Sequence, residues 1–65
     1  MSLKEYIISE KMTLARNMVR ETVLPISVIA MKVGYTNFSH FSQSYKKING
    51  VSPTEDREET VHTNE

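Results

Sequence analysis

Sixty-five residues make one small domain at most, with a core able to supply only a few kcal/mol of net stability, so a buried catalytic cleft is not expected. The chain has no cysteine, which excludes a disulfide framework and a thiolate metal site. No apolar run approaches the roughly 20 residues that span a bilayer and no basic-then-apolar leader opens the chain, so a cytoplasmic protein with no membrane partner is expected.

The formal net charge of zero hides an asymmetry. Residues 1–50 carry seven lysines and arginines against three glutamates, net +4, and residues 51–65 carry Arg57 against five acidic residues, net −4. A basic body with an acidic tail suits a partner carrying negative charge, although bodies this basic are common elsewhere.

In chain order, Ser2-Leu3-Lys4-Glu5 has the spacing of a capping box and predicts a helix from about Leu3 to Arg20. At 100° per residue, Ile7, Ile8, Met12, Leu14, Ala15, Met18 and Val19 fall in one stripe of roughly 160°, wider than an ordinary surface helix needs. Two short helices cannot cover all of it. Pro25 suits the first turn of a second helix running to about Val33, with Ile26, Ile29, Ala30 and Val33 at i, i+3, i+4 and i+7. Gly34 supplies the left-handed residue that stops a helix, and Thr36 or Asn37 caps the next.

The third helix, about Phe38 to Ile48, places Phe41, Tyr45 and Ile48 on a core face. Opposite lie Ser39 and Gln43, flanked by Ser42, Lys46, Lys47 and His40, with Phe38 at the boundary. Two helices joined by a glycine turn have the layout of a helix-turn-helix. A polar, uncharged centre ringed by lysines suits base reading, since Gln bonds adenine bidentately, Ser bonds either base edge and an apolar ring meets a thymine methyl. Lysines and helix N-termini hold phosphates. The same pattern also describes a merely solvated face.

Ser52 and Pro53 begin a last short helical turn over 53–57, and the acidic segment 58–65 is expected to be disordered. Met12, Met18 and Met31 are expected to fill the core. His40 and His62, far apart and without cysteine, predict no metal site, and no cofactor is expected. Ser39 and His40 are adjacent on a helix and point apart, so they form no catalytic pair. Arg16 and Arg20 are expected at phosphate or, more simply, in solvent. The fold class that follows is all-α: a three-helix, homeodomain-like helix-turn-helix bundle with a short C-terminal helical turn.

The run Ile26-x-x-Ile29-Ala30-x-x-Val33-Gly34-Tyr35-x-Asn37-x-x-His40-Phe41-Ser42-x-x-Tyr45-Lys46-Lys47-x-x-Gly50-Val51-Ser52-Pro53-x-x-x-Arg57 resembles the signature of the AraC/XylS family of bacterial transcription regulators. Upstream, Tyr6-Ile7, Lys11-Met12, Ala15 and Met18-Val19 are similar to that family's linker helix. The resemblance covers about residues 5–57 and implies the linker helix and second helix-turn-helix of a two-part DNA-binding domain. A missing first half would explain the wide apolar stripe. In the family the positions matching Phe38, Ser39, Ser42 and Gln43 face bases, and those matching Lys46 and Lys47 lie near the DNA backbone.

The implied function is sequence-directed binding of double-stranded DNA, with no catalysis. The implied partners in a longer protein are a first helix-turn-helix subdomain and a sensor or dimerisation domain. The chain departs from the family at Asp56, where an aromatic is usual, and at Lys11 and Gln43, where Arg is common. Loss of the aromatic is expected to weaken the anchor of the last helix, and loss of Arg at 43 removes a guanine reader. The alternative is a helical protein-interaction module that uses the apolar face of the first helix and reads no DNA.

Overall fold

The computed structural model describes the backbone of residues 2–62 and the side chains of residues 2–59. Within them the chain forms four helices and no strand: α1 Leu3–Glu21, α2 Ile26–Lys32, α3 Phe38–Asn49 and α4 Pro53–His62. Residues 63–65 of the expected acidic tail and the side chain of His62 lie outside the described residues.

Each helix boundary has a local cause. Ser2 and Glu5 close the expected capping box: the Glu5 N–H donates to Ser2 Oγ at 3.1 Å, and the Ser2 N–H donates to Glu5 Oε1 at 3.2 Å. Thr22 ends α1, its hydroxyl donating to the Met18 carbonyl at 2.6 Å. Pro25 stands just before α2 as its N-cap, one residue earlier than expected, and its carbonyl accepts from the Val28 and Ile29 amides. Gly34, at φ +94°, ends α2 in a Schellman arrangement, in which the Gly34 N–H donates to Met31 O at 3.0 Å and the Tyr35 N–H to Ala30 O at 2.9 Å. Asn37 then caps α3 by accepting from the His40 N–H at 3.1 Å.

The core is Met12, Ala15 and Val19 of α1, Ile29 and Ala30 of α2, Val33 of the turn, and Phe41 and Tyr45 of α3. Tyr35 and Phe38 meet the Phe41 ring edge-on, with centroids 5.7 and 6.3 Å away. The wide stripe predicted on α1 divides. Met12, Ala15 and Val19 are buried and Ile8 and Met18 pack against them, but Ile7 and Leu14 are exposed with Leu3 and Tyr6 on the far side of the helix. Two core assignments are corrected: Ile48 is 40% exposed and Met31 is 72% exposed. Met31 projects from a seven-residue helix whose other side is occupied by Ile29 and Ala30.

The largest correction is α4. It was expected to stop near residue 57 and give way to a disordered segment, yet the helix continues to His62. Its start repeats the first capping box, with the Glu55 N–H donating to Ser52 Oγ and the Ser52 N–H to Glu55 Oε1, both at 3.2 Å. Docking is polar. Asp56 is fully buried and accepts from Arg16 Nε at 3.1 Å, Arg20 Nη1 at 2.6 Å and the Tyr45 hydroxyl at 2.5 Å. Arg57 donates to the Val19 and Thr22 carbonyls at 3.1 and 3.2 Å, which places a cation at the C-terminal end of α1.

Candidate nucleic-acid interface

The inward side of α3 is set by Phe41 and Tyr45, both fully buried. Helical geometry therefore turns Ser39, Gln43 and Lys46 outward, and all three are exposed, as is Lys47 beside them. Ser42 is half-buried, and Phe38 is 44% exposed, with one edge on Phe41 and the rest of its ring open. All six predicted residues thus occupy one helix, five exposed and one partly covered. Among the described residues the side chains of Ser39, Ser42 and Gln43 make no hydrogen bond within the chain, so their donors and acceptors remain open to a partner.

Presentation of this face depends on the turn and on α1. The left-handed Gly34 and the Asn37 cap fix where α3 starts. A tyrosine–lysine contact braces the turn, with Lys11 Nζ 6.0 Å from the Tyr35 ring centroid. At the other end, Asn49 Nδ2 donates to the Met12 carbonyl at 3.5 Å, and Gly50 at φ +87° closes the helix.

The lysines are not electrostatically isolated. Glu5 is held below the usual carboxylate range, chiefly by the Ser2 backbone and side-chain hydrogen bonds, and the charge of Lys47 adds to the effect. Glu55 is lowered in the same way by Ser52, with Lys46 adding. Inside, burial first and the hydrogen bond to Asp56 second push the Tyr45 hydroxyl well above the ordinary tyrosine range. No group of three metal-ligating side chains comes together among the described residues, and none of their helices is long and apolar enough to cross a membrane.

A family profile described as a helix-turn-helix domain matches residues 1–59, which takes in all of α1, the turn and α3. The chain belongs to the AraC-type helix-turn-helix family. Similar members include a protein named a probable transcriptional regulator, LumQ of Photobacterium leiognathi, 32% identical over 50 residues that make up 77% of this chain and 20% of that protein. The HTH-type transcriptional regulator ArgR of Pseudomonas aeruginosa is 34% identical over 82% of this chain and 16% of its own length. YtdP of Bacillus subtilis, named an uncharacterized HTH-type transcriptional regulator, is 35% identical over 80% of this chain and 7% of its length. The chain therefore spans a fifth or less of these relatives. No solved structure matches it significantly.

As an AraC-type helix-turn-helix, the chain carries one substitution whose effect the structure reverses. Asp56, where the family usually has an aromatic, was expected to weaken the last helix; instead it accepts at least three hydrogen bonds and joins α4 to both α1 and α3. Arg16 and Arg20, placed by the sequence at phosphate or in solvent, are bound to Asp56, with about 40% of each side chain still exposed. Sequence reasoning missed this group because its members lie 11 to 40 residues apart. The available signal was weak: Arg16 and Arg20 share an i, i+4 spacing, but Asp56 sits in the charged run Glu55-Asp56-Arg57-Glu58-Glu59, where nothing local singles it out.

Proposed function

We propose that this chain is the linker helix and second helix-turn-helix of a DNA-binding domain, and that α3 enters the major groove of double-stranded DNA. Phe38, Ser39, Ser42 and Gln43 face base edges in this reading, and Lys46 and Lys47 hold phosphates. One observation carries it: the outward side of α3 presents polar side chains with unspent hydrogen-bonding capacity between lysines, while its inward side is locked in the core. The role requires no catalysis by the chain.

The exposed apolar side of α1, formed by Leu3, Ile7 and Leu14 with Tyr6, fits the preceding helix-turn-helix half, and the greater length of the relatives leaves room for that half and for a sensor or dimerisation domain. A cytoplasmic location follows from this role.

An amide-resolved NMR titration with a mixed-sequence duplex at two salt concentrations tests the reading. Shifts centred on Ser39, Gln43, Lys46 and Lys47 that fade with salt are expected, because phosphate contacts release counterions. A folded spectrum indifferent to DNA would favour the interaction module. In the same assay Gln43→Ala changes the preference among sequences, whereas Lys46→Ala weakens every duplex alike and lowers the salt slope by about 1.

A further inference from the structure

The outward side of α3 presents an incomplete set of base readers. Guanine is read by Arg or Lys and cytosine by Glu or Asp, but none of the four stands from Phe38 to Tyr45. Lys46 and Lys47 follow in the last turn of the helix, and His40 lies to one side of the Ser39–Gln43 row. Ser39 and Ser42 bond either base edge, which leaves Gln43 and Phe38 to discriminate. Gln43 is exposed and its amide makes no hydrogen bond within the chain, so an N–H donor and a carbonyl acceptor are both open. That pair matches the N7 acceptor and the N6 donor of adenine. Phe38 is an apolar plate held in place: it is 44% exposed, and its ring meets the fully buried Phe41 edge-on at 6.3 Å. In the major groove the apolar surface that suits such a ring is the C5-methyl of thymine.

We propose that α3 selects adenine–thymine pairs, Gln43 by a bidentate hydrogen bond to adenine and Phe38 by contact with a thymine methyl. The proposal rests on the DNA-binding reading and names the sequence class that this reading leaves open. The two side chains are separated by about 7.5 Å along the helix axis. Base pairs follow one another at about 3.4 Å, so Gln43 and Phe38 reach different pairs and the preference falls on at least two positions. Lys46 and Lys47, on phosphate, add affinity that every sequence shares.

Selection by the 65-residue chain from a pool of randomised duplexes at low salt is expected to enrich adenine and thymine at two or more positions; enrichment of guanine–cytosine pairs would overturn the proposal. Base analogues in the selected duplex then test each contact from the DNA side, where no folding defect of a variant intervenes. Uracil placed at each selected thymine in turn deletes the methyl group, and at one of them it should weaken binding about 4-fold by fluorescence anisotropy. An adenine analogue with carbon in place of N7 removes one acceptor and should weaken binding roughly 2- to 10-fold. The analogue loss should vanish in Gln43→Ala and the uracil loss in Phe38→Ala, and full persistence of either would overturn the assignment. Adenine–thymine enrichment with both analogues tolerated would trace the preference to duplex shape and overturn it as well. Salt-sensitive binding with no enrichment would defeat the preference but keep the DNA reading. Indifference of the chain to every duplex would overturn both.

Discussion

Two polar surfaces of this molecule are built on opposite plans. Around Asp56, every described group is committed: a fully buried carboxylate takes hydrogen bonds from two arginines and a tyrosine, and α4 is fastened to the bundle by charge. On the outward side of α3, Ser39, Ser42 and Gln43 are left uncommitted. Polarity alone does not separate a structural from a recognition role. What separates them is whether the hydrogen-bonding capacity has already been used inside the chain.

The contrast is broken most severely at Asp56. Asp56→Ala leaves the Tyr45 hydroxyl buried without its acceptor and removes the counter-charge of Arg16 and Arg20. Because both arginines are partly exposed, the loss falls below that of a wholly buried pair, at about 2–3 kcal/mol. That is a large share of what a domain this small holds, so thermal melting by circular dichroism should show a much lower midpoint; an unchanged midpoint would refute the anchor.

The second effect is alkaline. Tyr45 has a raised pKa in the folded chain, so its contribution is fully present below the ordinary tyrosine pKa of about 10 and is lost as pH rises toward the folded value. Above about pH 10 the unfolded chain releases the proton while the folded chain keeps it, which lowers stability by up to about 1.4 kcal/mol per pH unit. Denaturant midpoints between pH 9 and 11, ~2 units apart, should fall in the wild type and fall less steeply in Tyr45→Phe.

Gly34→Ala comes next. At φ +94° an alanine is strained, costing about 1 kcal/mol, and the nearest neighbour of its new Cβ, Lys11 Nζ at 3.5 Å, is in ordinary contact, so the backbone alone accounts for the loss. A melt with no shift would mean that the turn relaxes freely. Gln43→Ala should be smallest, within about 0.5 kcal/mol of wild type in the same melts, because the side chain is exposed and makes no hydrogen bond within the chain. A large loss there would place Gln43 among the structural groups and erase the contrast.

Much of the scaffold could be read from local chemistry. Ser2 with Glu5, Gly34 and Asn37 each announce a helix end through hydrogen bonds spanning three to five residues, and the structure uses every one. Periodicity did less well where it had to say what covers an apolar side chain. Met31 and Ile48, expected in the core, are exposed, whereas Ile7 and Leu14 are the part of the over-wide α1 stripe that was expected to stay uncovered. The extent of α4 was hidden for another reason: residues 58–62 carry one apolar residue, Val61, so a search for apolar repeats is blind to that stretch. At the candidate interface the outward placement of Ser39, Gln43, Lys46 and Lys47 followed from locating Phe41 and Tyr45.

The Asp56 cluster also constrains how this sequence can drift. An aromatic ring introduced at 56 by a single change would displace the acceptor of Tyr45 and leave Arg16 and Arg20 uncompensated, so it pays off only once residues 16, 20 and 45 have changed with it. The position is thus epistatic: tolerance at any of the four depends on the identity of the others, and a chimaera that borrows the last helix of an aromatic-bearing relative must import its partners in α1 and α3 as well.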